Sequence, residues 1–145
     1  MLRSLHSIPL AVRILGYGGL VPFFAASIAA IATGPSLRHF FLQALLSYGA
    51  IILSFLGGIR WGLASARHDV RGLLMPLFIS VLPAILAWFS LLLPVFAGLM
   101  VLSISLSAML WADLKLATAP AWYPVLRLYL SIGAIVALLL GLATS

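Results

Sequence analysis

The chain has 145 residues, of which 65% are hydrophobic and 7% charged, where a soluble domain is roughly half apolar and about 25% charged. So few charged side chains cannot furnish a water-facing surface, which excludes a soluble globular domain and makes the bilayer the solvent for most of the chain. The net charge of +6 rests on eight Lys and Arg against two Asp and Glu; the basic residues stand singly between apolar runs, so they form no stripe suited to nucleic acid. The absence of Cys removes disulfides, thiolate chemistry and Cys-ligated metals.

A hydrocarbon core about 30 Å thick takes about 20 apolar residues at 1.5 Å each. The first uncharged run, Ile14 to Ala32, lies between Arg13 and the turn Gly34-Pro35-Ser36 and predicts a span over residues 12–33. Its apolar stretch exceeds that of a signal peptide, so it is expected to be retained rather than cleaved after Ala30-Ile31-Ala32. The second run, Phe40 to Ile59, lies between His39 and Arg60 and predicts a span over 39–64. No charge then occurs between Arg71 and Asp113, roughly twice the length of one span. Proline ends a preceding helix and suits the first turn of the next, so the stretch is expected to break near Leu93-Pro94, giving spans over 72–93 and 95–113. The last span, 122–143, has Pro124 near its start and Arg127 one turn in. The expected fold is all-α, a single polytopic bundle of five transmembrane helices over residues 1–145.

With five spans, Arg3, Arg13, Arg60, Arg67, Arg71, Lys115 and Arg127 fall on the side of the N-terminus and only Arg38 on the other. Basic residues in short loops stay inside, which predicts N-terminus in, C-terminus out. Trp61, Trp111, Trp122 and Tyr123 then lie near the inner interface and Trp88 toward the outer one, where interfacial aromatics gather.

Helices in lipid associate through small residues that let backbones approach. Ala50, Ser54, Gly58, Gly62 and Ala66 recur at four-residue intervals along the second span, and another helix is expected in that groove, from the same chain or from a second copy. Gly16, Gly18 and Gly19 in the first span and Ala134, Ala137 and Gly141 in the fifth offer further small surfaces. Pro22, Pro76 and Pro83 each remove a backbone donor within a span.

An ionisable residue in a span is costly in lipid and marks a candidate site. Arg60, Asp113 and Arg127 share one depth near the inner side, with Trp61, Trp111, Trp122 and Tyr123 close in sequence. An Arg60–Asp113 pair would relieve two charges and leave the Arg127 guanidinium for a phosphate headgroup, a carboxylate or a quinone carbonyl. The competing readings are that the arginines snorkel to the headgroups while Asp113 ends its helix, or that the cluster is a purely structural pair. His6 and His68 lie inside and His39 outside, so no histidine sits where a haem or metal would be held; Asp69 beside His68 reads as a cap of the third helix. Asp113 has no acidic neighbour for general acid–base work, so no catalytic residue is assigned. Gly57-Gly58 and Gly16-Tyr17-Gly18-Gly19 lack the strand, Lys and Ser or Thr of phosphate loops. Ser103, Ser105 and Ser107 are expected to bond back to their own helix, and Gln43 and Tyr48 to bond between helices.

The segments Leu15-Gly16-Tyr17-Gly18-Gly19-Leu20-Val21-Pro22-Phe23, Tyr48 through Gly62, and Pro120-Ala121-Trp122-Tyr123-Pro124-Val125-Leu126-Arg127 resemble those of the transmembrane protein 69-like family, an integral membrane domain of unknown function. The resemblance spans most of the chain. It implies a small multi-pass protein of the bacterial inner membrane with mitochondrial relatives, and brings no activity, cofactor or site residue. The leading expectation is a non-enzymatic accessory or assembly protein that packs against other membrane components. The alternatives are a protein that binds an anionic lipid or quinone, or acts on one, through Arg60, Asp113, Arg127 and the flanking aromatics, and an oligomeric small-solute transporter or channel.

Overall fold

The computed structural model describes residues 8–66, 72–115, 120 and 122–145. The expectations for Arg3, His6, Arg67, His68, Asp69 and Arg71 lie outside the described residues. Within them the chain is helical, with α1 over Leu10–Gly18, α2 over Val21–Ala32, α3 over Pro35–Ser65, α4 over Leu74–Leu91, α5 over Val95–Leu114 and α6 over Tyr123–Thr144. Taking α1 and α2 together as Leu10–Ala32, five helical stretches are long and apolar enough to cross a membrane. Many large apolar side chains point outward, among them Leu15, Phe55, Phe78, Trp88 and Ile104. Such a surface is stable only when the solvent is hydrocarbon.

The first span is a broken helix. Pro22 has no N–H for the carbonyl of Gly18, so the ladder is interrupted and α2 restarts with proline in its first turn. The Gly19 carbonyl, freed by the break, accepts a hydrogen bond from the Tyr48 hydroxyl of α3 at 2.9 Å. The Tyr48 ring also packs edge-on against Phe23, with centroids 4.9 Å apart. A buried carbonyl in lipid needs such a partner, and the expectation that Tyr48 bonds between helices is met here. The predicted break near Leu93-Pro94 falls between Leu91 and Val95, with Pro94 capping α5.

Helix α3 is the spine, packed against α2, α4, α5 and α6. Its 31 residues make a rod about 46 Å long at 1.5 Å per residue, longer than the hydrocarbon it crosses. Arg38 and Arg60 stand about 33 Å apart along it by the same rise, close to the thickness of the hydrocarbon core. Phe23, Leu45, Leu46, Leu53, Leu99, Leu102, Leu106 and Leu138 form the fully buried centre of the bundle. Ser103 and Ser107 donate to the carbonyls of Leu99 and Ser103 at 2.8 Å each, back along their own helix as expected, whereas Ser105, also buried, makes no such bond.

The four-residue row on α3 does not form one groove inside the chain. Ala50 is buried and Ser54 half-buried, but Gly58 and Gly62 are exposed, and a Cβ at either would meet nothing within 4 Å. The glycines of α3 that admit neighbours are Gly57, where a Cβ would stand 2.6 Å from the Ser80 carbonyl oxygen of α4, and Gly49, where it would stand 2.8 Å from Leu102 Cδ1 of α5. The reason is geometric: at about 100° per residue a four-residue step overshoots a turn by about 40°, so such a row winds around the helix. From Ala50 to Gly62 it rotates from the core to the outside.

Candidate functional site at one end of the bundle

Arg60, Asp113 and Arg127 each continue the buried stripe of their helix. On α5, Leu99, Leu102, Leu106 and Met109 lead to Asp113; on α6, Arg127 is followed by Ser131, Ala134, Leu138 and Gly141, all buried. Helical spacing therefore turns all three charged groups inward at the same end of the bundle.

There they form one cluster joining α3, α5 and α6. Asp113 is fully buried. Arg60 donates through Nη1 to Asp113 Oδ1 at 3.0 Å, and Arg127 donates through Nε to Oδ2 at 2.8 Å. The Tyr123 hydroxyl completes the shell at 3.5 Å from Oδ2. Arg127 is only 5% exposed, so it does not snorkel, and Arg60 keeps 15% of its side chain accessible. Nor is Arg127 left over beside an Arg60–Asp113 pair, since Asp113 holds both arginines, one on each oxygen. Two guanidinium groups, which stay charged in any protein environment, thus share one carboxylate, and the cluster carries one net positive charge.

The aromatic residues divide. Tyr123 is buried within the cluster and Trp122 packs edge-on to it, with centroids 6.3 Å apart. Trp61 and Trp111 do not join: they are 47% and 63% exposed on the outside of the bundle. Trp111 instead holds the Lys115 ammonium 3.6 Å from its ring centroid, a cation–π contact suited to an interfacial tryptophan. Neighbouring helical residues point about 100° apart, so Trp61 and Trp111 face outward where Arg60 and Asp113 face inward.

A cleft of about 500 Å³ runs from the cluster along the bundle, between α1, α3 and α6. Its walls include Val12, Leu15 and Gly16 of α1, Phe55, Leu56 and Ile59 of α3, and Leu126 and Leu130 of α6, with Trp122, Tyr123 and Arg127 contributing its polar groups. The cleft lies beside α1, which has no buried residue and packs mainly against α6 rather than α3. Its volume lies within the roughly 300–1,000 Å³ of small-molecule sites. A smaller cavity of about 140 Å³ shares Leu15, Gly16, Phe55, Leu56, Arg127 and Leu130 with it and reaches deeper, to Ser131. Among the described residues, Arg127 Nη2 and Ser131 Oγ are buried with no hydrogen-bond partner. Ser131 did not stand out in the sequence, though its position four residues after Arg127 places the two on one helix face.

Both carboxylate oxygens of Asp113 are engaged, each by a guanidinium, so this group ties α3, α5 and α6 together. Among the described residues, no three His, Asp or Glu lie where they would hold a metal ion.

Fold and site together define a multi-pass helical membrane protein with a buried ion cluster at one end of its bundle. The chain belongs to the family described as "Protein of unknown function (DUF3429)", whose model matches residues 8–143. It is similar to Transmembrane protein 69 of Xenopus tropicalis, 34% identical over 151 aligned positions that cover 99% of this chain and 58% of the relative. The chain thus spans little more than half the length of that relative. No solved structure matches it.

Proposed function

We propose that the protein binds a membrane amphiphile, a lipid or a quinone, with its polar head at Arg127 and its tail in the cleft between α1, α3 and α6. The observation that carries this reading is the Arg127 Nη2, a buried donor without a partner beside an apolar cleft of about 500 Å³. A buried donor left unsatisfied costs about 1–3 kcal/mol, which a ligand acceptor would recover. The same observation favours ligand binding over a purely accessory role, for which a sealed bundle would serve. Native mass spectrometry of the protein released from mild detergent is expected to show a retained lipid or quinone that Arg127→Gln loses; equal retention by the variant would sink the reading.

We place the protein in the bacterial inner membrane, N-terminus in the cytoplasm, on the strength of the basic residues gathered on the side of Arg60 and Arg127. The ligand head would then lie at the cytoplasmic leaflet. Alkaline phosphatase fused after Ser145 is expected to be active and a fluorescent protein at the same point dark; the reverse pattern would invert the topology.

A further inference from the structure

We infer that the occupant of the Arg127 cleft is an acidic amphiphile, a hydrocarbon tail ending in a carboxylate or a phosphate, and that Ser131 is the second residue that contacts its head. This rests on the amphiphile reading above and narrows it to one class of head.

Charge is the first argument. Arg60 and Arg127 share the single carboxylate of Asp113, which is fully buried. One positive charge remains uncompensated in a medium of low dielectric, where an isolated buried ion is strongly unfavourable. A quinone carbonyl accepts a hydrogen bond but brings no charge, whereas one oxyanion neutralises the cluster.

The second argument is the polarity of the groups on offer. Arg127 Nη2 is a donor only, and a hydroxyl can donate as readily as it accepts. Ser27, Ser80, Ser90 and Ser103, all buried on helices, spend their hydroxyls on carbonyls three or four residues back. Ser131 is equally buried, at 2% exposure, and like Ser105 of α5 makes no such bond; unlike Ser105, its hydroxyl oxygen is itself buried without a partner. Ser131 and Arg127 both line the same inner cavity of about 140 Å³. Two donors one helical turn apart, with the Asp113 carboxylate already taken by Arg60 and Arg127, suit the paired oxygens of a carboxylate or phosphate.

The walls supply the third argument. Outside Arg127, Trp122 and Tyr123 the larger cleft is lined by aliphatic and phenyl side chains and one glycine, so a free inorganic anion would leave it unfilled while a tail would occupy it.

The test uses the full chain in detergent with Trp61, Trp88 and Trp111 replaced by Phe, leaving Trp122 in the cleft wall as the one emitter. Bromine-labelled hexadecanoic acid and its methyl ester share a tail and differ in charge, and bromine quenches tryptophan on contact. The acid is expected to quench Trp122 at a concentration about tenfold or more below the ester, the size of a lost charge-assisted hydrogen bond. Arg127→Gln should erase that difference, and Ser131→Ala should weaken the acid by roughly threefold to tenfold with the ester unchanged. A bromine-labelled alkyl phosphate run beside the acid decides between the two heads, and preference for either over the ester supports the proposal. Acid and ester quenching alike would overturn the acidic head while leaving the amphiphile reading in place. Saturable quenching by none of them would remove that reading and this inference together. Displacement of the acid by inorganic phosphate at similar concentration would overturn the requirement for a tail.

Discussion

Replacing Asp113 with Ala is expected to lower stability by about 3–5 kcal/mol, the cost of removing one partner from a buried ion cluster. The variant leaves Arg60 and Arg127 facing one another without the carboxylate that each of them bonds, at 3.0 and 2.8 Å. Neither guanidinium can shed its proton, and like charges at such range in a medium of low dielectric repel. Because the two arginines stand on α3 and α6 while Asp113 stands on α5, the repulsion acts to part α3 from α6 and the lost ion pairs untie α5 from both at one end of the bundle. Size-exclusion chromatography after heating in mild detergent should show a much lower midpoint, or little folded protein at all. The triple variant Arg60→Met, Arg127→Met and Asp113→Leu removes every charge while roughly keeping volume. It should recover most of the lost stability, since apolar replacement of a whole buried cluster is often neutral or stabilising. The triple variant should also fail to retain the acidic amphiphile, separating the cluster's role in folding from its role in binding. An Asp113→Ala variant as stable as the parent would show that the cluster does not hold the helices.

Adjacent glycines on α3 should respond in opposite ways to the same substitution. Gly57→Ala places a methyl group 2.6 Å from the Ser80 carbonyl oxygen and 3.3 Å from Pro83 Cβ. The obstacle is backbone of α4, which cannot rotate aside, so α3 and α4 must separate, at about 1–3 kcal/mol for an overpacked contact. Gly58→Ala meets nothing within 4 Å and replaces glycine by a better helix former, so it should be neutral or raise stability by up to about 1 kcal/mol. Gly98→Ala should behave as Gly57→Ala does, because its Cβ would stand 2.5 Å from the Ser90 carbonyl oxygen. Midpoints of thermal unfolding in detergent check all three. Equal effects at Gly57 and Gly58 would contradict the α3–α4 interface.

The charged cluster was legible in the sequence for a definite reason. In an apolar span each ionisable residue is costly, so Arg60, Asp113 and Arg127 are conspicuous by type alone, and depth along the helices brings them to one level. Their burial follows from helical periodicity: Asp113 falls at the end of the series Leu99, Leu102, Leu106, Met109, and Arg127 begins the series that runs through Ser131, Ala134 and Leu138. Direction around the helix, rather than nearness along it, separates Tyr123 from Trp111 and Trp61, and Gly57 from Gly58. A four-residue row drifts about 40° per step, so Ala50 faces the core of the chain while Gly58 and Gly62 face outward.

Other features belong to three dimensions only. Pro22 announces an interrupted ladder, but that a cleft lies between α1, α3 and α6 depends on what those helices present to one another. That the Tyr48 hydroxyl, 29 positions along the chain, reaches the Gly19 carbonyl follows from the packing of α2 on α3.

By itself the sequence determined the solvent, the number of apolar spans and the identity of the few charges within them, because hydrocarbon imposes length and polarity on each helix separately. The tertiary structure alone decided that one carboxylate serves two arginines, that Arg127 Nη2 and Ser131 Oγ end without partners, and that an apolar cleft lies beside them. These are relations between side chains on different helices, set by crossing and close backbone approach, and no single helix encodes them.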